Sequence, residues 1–518
     1  MSRYNYSRRP TIAVAIGSVT VGAGHPIALQ SMTNTPTMDT AASAEQCLRL
    51  AEAGADIVRL TAQTPKHAEN LANIHREVRA AGVDTPLVAD IHFNPEAAFA
   101  AARHVEKVRI NPGNFVDPGR TFVKLEYTDE EYATEIGRIR AKLVPLLDIC
   151  RERGTSLRIG VNHGSLSDRI MSRYGDTPAG MVESAMEFLR ICRSEGFDRV
   201  VISIKASNVV VMTQTVRLLV RAMEAEDMAY PLHLGVTEAG DGEDARVKSA
   251  VGIGSLLADG IGDTIRVSLS EDPVCEIPVA RMLVEHIASR AQRELPAERT
   301  NRTNKTTRTN KANMPLVVGY DVEAVPEGVT AIRAEHPNAL GVARMELDGA
   351  PAGPVALTVA YPATMSAEQV TVAASVDLGS VLLERPVDYV AVEAPALTAE
   401  ERSRLALGIL QATRRRITRT EYIACPGCGR TLFDLQSTLA QVKEATKGQK
   451  TLKIGVMGCI VNGPGEMADA DYGYVGAGPG RVSIYRGKEC VRKNIPTDEA
   501  LPALIALIKD DGRWEDEA

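Results

Sequence analysis

The stretch PIALQSMTNTPTMDTAASAEQCLRLAEAGADIVRL, residues 26–60, holds the pattern that decides the fold. The short apolar runs at its two ends, PIALQSM and ADIVRL, predict β-strands. Between them, AASAEQCLRLAEAG has helical character and ends in glycine, which tolerates the left-handed conformation that commonly follows a helix. A strand, a helix and a second strand in this order are typical of a parallel βαβ unit.

The same unit recurs through the first 290 residues. Six further runs predict strands, at PLVADI (86–91), KVRINP (107–112), LRIGVN (157–162), RVVISIKA (199–206), PLHLGV (231–236) and TIRVSLS (264–270). An open doubly wound sheet shows the same alternation, but a count of eight favours a closed (β/α)8 barrel. We therefore predict an α/β protein with a TIM-type barrel over residues 1–292.

The rest of the chain predicts three further parts. Residues 293–314 include a polar, basic stretch without apolar periodicity, which is typical of a solvated linker; a basic binding arm is the alternative. Residues 315–420 alternate short strands and helices and predict an α/β insert without recognisable chemistry. Residues 421–518 predict a small α/β domain that carries four cysteines.

Composition and charge narrow the function. The net charge of -7 argues against general binding to nucleic acid or membranes, and an aromatic content of 4% argues against base-stacking platforms. The apolar run near the N-terminus is marginal for a signal peptide and far too short to span a bilayer. We expect a cytoplasmic protein that contacts neither nucleic acid nor membrane.

Polar side chains crowd the carboxyl ends of the predicted strands, where barrel enzymes place their catalytic groups. They are Arg59, Asp90, His92, Arg109, Asn111, Arg158, Asn162, Lys205, Ser207, His233, Glu238, Arg266 and Ser268. Five cations from five strands favour a compact polyanion such as a diphosphate over an internal network with Asp90 and Glu238. We expect Glu238 to stay ionised unless desolvation raises its pKa enough for acid catalysis.

Three cysteines of the last domain predict a metal centre. Cys425 and Cys428 lie in ACPGCGRT, and Cys459 lies in a glycine-rich loop that continues to Glu466. Spacing alone leaves two readings nearly even: structural zinc with Cys490 as fourth ligand, or an iron–sulfur centre with Glu466 as an exchangeable oxygen ligand. An unliganded pair is a third alternative.

Several motifs together resemble one family. ACPGCGRTLFDLQ, GVMGCIVNGPGE, VADIHF, RIGVNHGSL, HLGVTEAG and GDTIRVSLSEDP are similar to motifs of the 4-hydroxy-3-methylbut-2-enyl diphosphate synthase family, over residues 10–290 and 420–510. The resemblance implies an enzyme of the methylerythritol phosphate route to isoprenoids, with a barrel and a four-iron, four-sulfur (4Fe-4S) domain. It implies iron rather than zinc, held by Cys425, Cys428, Cys459 and Glu466.

The resemblance also implies the substrate and its site. 2-C-methyl-D-erythritol 2,4-cyclodiphosphate would lie in the barrel mouth and undergo two-electron reductive ring opening with loss of water. By their positions in the matching motifs, the resemblance implies that the diphosphate is bound by Arg59, Arg109, Arg158, Lys205, Arg266 and Ser268. It implies that the polar mouth is lined by Asp90, His92, Asn111 and Asn162. It also implies that Glu238 donates a proton.

Partners and location follow from the same resemblance. It implies ferredoxin or flavodoxin as the electron donor, and we expect a homodimer. Because no transit peptide precedes the barrel, we expect a bacterial cytoplasmic location. Two stretches, RINPGNFVDPGRTFVKLEYTDEEY and TEAGDGEDARVKSAVGIG, resemble the family's longer variant, although the insert looks smaller than the extra domain usual there.

Two other readings of the residues stay open. An aldolase-like lyase would use Lys205 as a Schiff base, with zinc in the last domain. A barrel scaffold whose metal domain binds a protein partner explains the cysteines but leaves the five cations without a purpose.

Overall fold

The structure is a computed structural model that describes residues 4–92, 94–116, 126–296, 314–460 and 467–515. Residues 297–313 of the predicted linker at 293–314 lie outside the described residues, and so does Glu466. The chain divides into two compact units. We call the larger one the barrel unit, residues 10–240, 262–278 and 420–518, and the other the insert unit, residues 1–9, 241–261 and 279–419.

A hairpin and eight parallel strands begin the barrel unit. The hairpin pairs β1 (Val14–Ile16) with β2 (Val19–Val21) in antiparallel fashion. The parallel strands are β3 (Ala28–Met32), β4 (Ile57–Thr61), β5 (Leu87–Asp90), β6 (Lys107–Ile110), β7 (Ser156–Asn162), β8 (Val200–Lys205), β9 (His233–Leu234) and β10 (Thr264–Ile265). All eight strands predicted from the sequence are confirmed.

The eight strands form a barrel. Their order in the sheet is β8-β7-β6-β5-β4-β3-β10-β9, and a parallel bridge between Ile202 and Leu232 joins the two ends. The hairpin was not predicted. Its Val14 and Ile16 pack with Ile57 and Val88 of the barrel strands in one apolar cluster.

The helices between these strands begin at clear capping signals. The barrel unit contains α1 (Thr40–Glu52), α2 (Pro65–Ala80), α3 (Pro95–Ala101), α4 (Pro112–Phe115), α5 (Asp129–Arg153), α6 (Asp168–Tyr174), α7 (Pro178–Ser194) and α8 (Val209–Ala225). Thr128 and Glu131 form a capping box at the start of α5, which satisfies backbone donors that the first turn leaves unpaired.

The insert unit is built on a second parallel sheet. It contains α9 (Gly242–Ala258), α10 (Glu276–Ser289) from Val279 onward, β11 (Leu316–Val317), β12 (Thr330–Glu335), α11 (Ala339–Gly349), β13 (Val355–Ala360), α12 (Ala367–Glu384), β14 (Tyr389–Glu393) and α13 (Ala399–Ala412). The sheet order is β11-β14-β13-β12, with parallel pairing throughout.

Two glycines bring α9 and α12 of the insert unit together. A Cβ atom added to Gly254 would lie 2.4 Å from a methyl carbon of Val376, and one added to Gly379 would lie 2.8 Å from a methyl carbon of Val251. Only glycine therefore permits this close packing.

The two units differ from the predicted division at residues 292, 314 and 420, because α9 belongs to the insert unit. The four-part division stays a prediction.

The last hundred residues form a five-stranded sheet within the barrel unit. The sheet contains β15 (Glu421–Ala424), β16 (Lys453–Met457), β17 (Tyr472–Gly478), β18 (Arg481–Arg486) and β19 (Glu489–Pro496), in that order. The helices α14 (Leu435–Ala445) and α15 (Thr497–Asp510) bury Leu439 and Leu504 in its core.

This C-terminal domain packs on the carboxyl ends of the barrel strands of the same chain. Ala239 pairs with Ala424 in a parallel bridge, and the Gly240 amide donates to the Ala424 carbonyl at 3.2 Å. The Ser270 hydroxyl donates to the Cys425 carbonyl at 2.7 Å. In the described part of the chain, no helix combines the length and the apolarity that crossing a bilayer requires.

Candidate active site at the barrel mouth

A cleft of about 760 Å³ lies between the barrel strands and the C-terminal domain. Most of the sequence-predicted residues line it: Arg59, Asp90, His92, Arg109, Arg158, Asn162, Lys205, Glu238, Arg266, Ser268, Cys425, Cys428 and Cys459. The structure therefore brings the predicted cations and the predicted thiols to one place. We call this space the barrel-mouth cleft.

Strand register explains why the charged side chains converge. Asp90 is the register partner of Arg109 on the neighbouring strand, and Arg109 is in turn the partner of Arg158. Because register partners in a parallel sheet project to the same face, these three side chains all enter the barrel interior.

Asp90 is the anion at the centre of this group. Its carboxylate oxygens lie 3.1 Å from the Arg109 guanidinium, 3.8 Å from that of Arg158 and 3.9 Å from that of Arg59. Burial by itself would raise the pKa of Asp90, but Arg59 and Arg109 outweigh burial and hold the pKa well below its usual value. Asp90 is therefore a carboxylate that cannot act as an acid near neutral pH.

Further hydrogen bonds fix Arg109. Its Nη2 atom donates to the Gly160 carbonyl at 2.8 Å and to the Asn162 side chain at 2.9 Å, and its Nη1 atom contacts His92. Burial, together with Arg109 and Arg430, lowers the pKa of His92 to about 3. His92 is therefore neutral and can accept a hydrogen bond from the guanidinium.

Arg266 is held by a buried carboxylate that the sequence did not single out. Its Nε and Nη2 atoms donate to the two carboxylate oxygens of Glu276 at 3.0 and 2.8 Å. The Ser31 hydroxyl donates to the same carboxylate at 2.7 Å. Glu276 therefore fixes the direction in which Arg266 points, and no periodicity in the sequence marks it.

The cleft has more cations than its carboxylates neutralise. Burial lowers the pKa of Lys205 well below its usual value, and the nearby Arg59, Arg158 and Arg266 lower it further. Burial and neighbouring arginines also lower the pKa of Arg158. A group whose charged form is disfavoured by surrounding cations is stabilised when a polyanion enters, so the site suits a compact, multiply charged anion.

Glu238 stands out through its backbone. It is buried in the cleft lining and adopts φ +50°, a left-handed conformation that is uncommon for residues other than glycine. Such conformations cost roughly 1–3 kcal/mol and concentrate at functional sites. This outlier supports a functional role for Glu238.

The three cysteines line the side of the cleft that the C-terminal domain contributes. The Gly458 amide donates to the Cys425 sulfur at 3.3 Å, and the Arg430 Nε atom donates to the Cys428 sulfur at 3.3 Å. Burial raises the pKa of the Cys425 thiol to about 12, so a thiolate here requires a metal centre to compensate it. Sulfur atoms that already accept amide and guanidinium donors fit an iron–sulfur cluster.

The described residues contain no group of three histidine, cysteine, aspartate or glutamate side chains placed for a single metal ion. The cysteines of a four-iron cluster each bind a different iron, so their sulfur atoms stand farther apart than the ligands of one ion. Glu466, the expected fourth ligand, lies outside the described residues.

Three predicted residues that the structure describes do not line the cleft. The Asn111 side chain accepts from the Gly113 amide at 3.3 Å and caps α4. His233 is buried in β9, where its ring nitrogen lies 3.4 Å from Arg158, and Ser207 is buried beyond the end of β8.

Among the residues that sequence reasoning missed are Glu276, which contacts Arg266, and two residues of the cleft lining, Arg430 and Met32. Arg430 lies within the ACPGCGRT motif and also approaches Asp90, at 3.6 Å, so it joins the thiol side of the cleft to the barrel side. Met32 accepts contacts from Arg59 through its sulfur atom at 2.9 and 3.1 Å. The sequence could have indicated Arg430, because this cation lies only two residues after the predicted metal ligand Cys428.

Two family models match the chain, one over the barrel and one over the C-terminal domain. Residues 11–281 match the GcpE TIM-barrel domain, and residues 421–510 match the GcpE protein C-terminal domain. The chain belongs to the GcpE family. The family and the barrel fold expected from the sequence motifs are thereby confirmed.

Curated GcpE-family relatives match nearly the whole chain. Proteins of Phocaeicola vulgatus (48% identical, covering 99% of this chain and 100% of the relative) and Bacteroides fragilis (49%, covering 100% and 98%) are both named 4-hydroxy-3-methylbut-2-en-1-yl diphosphate synthase (flavodoxin). A relative of the same name from Akkermansia muciniphila is 44% identical, covering 99% of the chain and 98% of the relative. The first alignment spans 613 positions, 95 more than the 518 residues of the chain.

Proposed function

We propose that the chain is a 4-hydroxy-3-methylbut-2-enyl diphosphate synthase. It converts 2-C-methyl-D-erythritol 2,4-cyclodiphosphate to (E)-4-hydroxy-3-methylbut-2-enyl diphosphate, a precursor of isoprenoids. The reaction consumes two electrons and two protons and releases one water, as the C–O bond to the diphosphate breaks and a hydroxyl group leaves. The curated relatives carry the name of this activity.

One observation carries the proposal: the cations and the thiols line the same cleft. Arg59, Arg109, Arg158, Lys205 and Arg266 surround the position where a diphosphate would lie, and Cys425, Cys428 and Cys459 line its other side. An anion-binding site alone would not need the thiols, and a structural metal site alone would not need five buried cations. Both requirements are met by a reaction that reduces a diphosphate ester.

The cations bind the substrate and stabilise the negative charge that develops during ring opening. When the C–O bond breaks, charge grows on a phosphate oxygen, and guanidinium groups already fixed by Glu276, Asn162 and Asp90 need not reorganise to meet it. We assign Ser268 and Asn162 to hydrogen bonds with the substrate, since both line the cleft.

Cys425, Cys428 and Cys459 would hold a 4Fe-4S cluster, with Glu466 as the fourth ligand carried over from the family motif. Such a cluster supplies electrons one at a time. The chain's own contribution there is the pair of donors to sulfur, the Gly458 amide and the Arg430 guanidinium, which favour the negative charge of a thiolate-bound cluster.

Glu238 would donate the proton that the leaving hydroxyl requires. It is buried in the cleft lining, and its strained backbone holds the carboxyl group beside the substrate space. This role separates Glu238 from Asp90, whose arginine partners hold its pKa too low for proton donation.

Flavodoxin is the proposed electron donor, because the relatives are named for it, and ferredoxin is the alternative. A homodimer and a bacterial cytoplasmic location remain predictions from the sequence.

The activity can be tested directly. The full chain is purified without oxygen, analysed for iron and acid-labile sulfide, and supplied with reduced flavodoxin and the cyclic diphosphate. We expect iron and sulfide in equal amounts, an iron–sulfur EPR signal on reduction, and formation of the linear diphosphate. A preparation that holds zinc and no sulfide would refute the proposal.

Replacing Glu238 tests its role. We expect Glu238→Gln to retain the iron–sulfur EPR spectrum and to lose turnover by roughly 100- to 10,000-fold, the range typical of a lost general acid. Glu226→Gln is the matched control, since Glu226 is a carboxylate on the barrel surface paired with Arg190. Near-normal turnover in Glu238→Gln would remove it from this role.

The lowered pKa of Lys205 also suits a Schiff-base lysine, which keeps an aldolase-like lyase as a second candidate. Borohydride treatment in the presence of the cyclic diphosphate distinguishes the two. Covalent trapping of substrate on Lys205 would favour the lyase, and we expect none.

A further inference from the structure

The insert unit contains a second cleft that the proposed reaction does not use. Its volume is about 480 Å³, and Met282 and Glu285 of α10, His286, His336 and Met365 are among the residues that line it. His336 directly follows β12, and Tyr361, behind the cleft, directly follows β13. The cleft therefore lies at the carboxyl ends of two parallel strands, which is where α/β sheets bind ligands. We call it the insert cleft.

A buried carboxylate orients one histidine of this cleft. Asp377 is fully buried, and its two oxygens accept from His286 Nε2 at 3.0 Å and from the Tyr361 hydroxyl at 2.9 Å. When a carboxylate oxygen accepts from Nε2 of a neutral imidazole, the ring proton lies on Nε2 and Nδ1 carries the lone pair.

The other ring nitrogen of His286 has no partner in the described structure. His286 Nδ1 is buried without a hydrogen bond, and the same is true of His336 Nδ1. The two ring centroids are 5.8 Å apart, and the ring planes differ by only 22°. A buried carboxylate that binds one imidazole nitrogen and leaves the other bare is the arrangement that orients metal-ligating histidines in proteins.

The remaining side chains of the cleft select the kind of metal. Met282 lies one turn before His286 on α10, and Met365 lies at the start of the segment that leads into α12, so two half-buried thioethers accompany the two imidazoles. Thioethers are soft ligands that select Cu(I), and imidazole also suits copper. Zinc prefers cysteine, histidine and carboxylate ligands, and no set of three such side chains is arranged for one ion in the described residues.

The charge of the cleft is compatible with a cation. Asp377 supplies a buried negative charge directly behind His286, and the exposed Glu285 is part of the lining.

We propose that His286 and His336, with the thioether of Met282 or Met365, form a Cu(I)-binding site in the insert unit, and that Asp377 orients His286 for it. This site is separate from the barrel-mouth cleft and does not depend on the proposed enzymatic activity. Silver(I), which has the same ligand preference, is expected to bind there as well.

Competition with a chromophoric Cu(I) chelator tests the site. The full-length chain is titrated with Cu(I) without oxygen in the presence of bicinchoninate, and retained copper is counted per chain. Cysteine thiols also bind Cu(I), but they are the same in the native chain and in histidine variants. The difference between native chain and variant therefore reports the insert cleft alone.

The variants separate ligands from support. We expect His286→Gln and His336→Gln each to lose one copper equivalent, while His25→Gln, which changes an exposed histidine of the barrel unit, loses none. Asp377→Asn is expected to weaken copper binding by roughly 10- to 100-fold, the usual effect of removing the partner of a metal-bound histidine. The double variant Met282→Leu, Met365→Leu keeps the side-chain volume and tests the thioethers.

Two results would overturn the proposal. Retention of the native amount of copper by His286→Gln, with native circular dichroism, would show that the imidazoles are not ligands. Unchanged Cu(I) affinity in the double methionine variant, combined with tighter binding of zinc than copper at the histidines, would show that the cleft is not a soft-metal site. A variant that loses its native circular dichroism is replaced in the comparison by Tyr361→Phe, which removes only the second hydrogen bond to Asp377 and should weaken Cu(I) binding measurably.

Discussion

Removing the charge of Glu276 tests how the barrel-mouth cleft is held in shape. Glu276 and Arg266 form a bidentate ion pair whose side chains are only 1% and 6% exposed. In Glu276→Gln the amide oxygen can accept only one of the two guanidinium hydrogen bonds, and the amide NH2 group faces the other guanidinium N–H. The neutral amide also leaves the buried Arg266 cation without its counter-charge. Breaking a buried pair in this way costs about 3–5 kcal/mol. We expect a loss of that size in the free energy of unfolding and a higher KM for the cyclic diphosphate.

A matched surface pair provides the control. On the barrel exterior, Arg190 donates from Nε and Nη2 to the two oxygens of Glu226, and these side chains are 43% and 33% exposed. Glu226→Gln is expected to cost about 0.2–1 kcal/mol, because solvent screens exposed pairs. Urea denaturation followed by circular dichroism measures both variants.

A double variant distinguishes charge from packing at Glu276. Glu276→Leu combined with Arg266→Met replaces the pair by apolar side chains of similar volume, which is often neutral for stability. We expect the double variant to recover most of the lost stability but to lose turnover, because it lacks the Arg266 guanidinium that binds the diphosphate. Equal destabilisation by Glu276→Gln and Glu226→Gln would refute this reasoning.

Three further predictions concern the same cleft. Burial and neighbouring arginines depress the pKa of Lys205, so diphosphate binding should take up a proton and weaken as pH rises. Calorimetry in buffers of different ionisation enthalpy measures this proton uptake. Lys205→Met should abolish the uptake and lower the affinity for the diphosphate roughly 10- to 100-fold. Arg430→Gln removes a donor to the Cys428 sulfur, so the reduction potential found by EPR titration should become more negative, and an unchanged potential would contradict this. Cys459→Ser should lose iron and sulfide whereas Cys490→Ser, at an exposed thiol on β19, should keep both; the reverse pattern would favour zinc with Cys490.

The barrel and its cations were predictable because a simple geometric rule connects them. The carboxyl ends of the parallel strands of a barrel meet at one face, so polar side chains at those ends are expected to lie close together. Arg59, Arg109 and Arg158 therefore converge in the structure as the sequence indicates. The three cysteines reached the same cleft only through the packing of the C-terminal domain, which spacing does not reveal.

Other features depended on contacts that leave little trace in sequence. Asn111 stands at a strand end like its neighbours, but Pro112 follows it and Asn111 caps a helix; a polar residue before proline could have been read as such a cap. Glu276 opens a helix ten residues after its partner Arg266 and looks like an ordinary first-turn acid. The hairpin β1–β2 is too short for alternation to distinguish it from a loop.

The hydrogen bonds between the Glu238 loop and the strand before Cys425 have a consequence for turnover. Ala239 and Gly240 pair with Ala424, and Ser270 binds the Cys425 carbonyl, so the proposed acid and the first thiol share one backbone frame. Any swing of the C-terminal domain that admits substrate must either carry the Glu238 loop along or break these bonds. In such an open state Glu238 would not be placed to donate its proton. The hydroxyl group would then leave only after these hydrogen bonds form again.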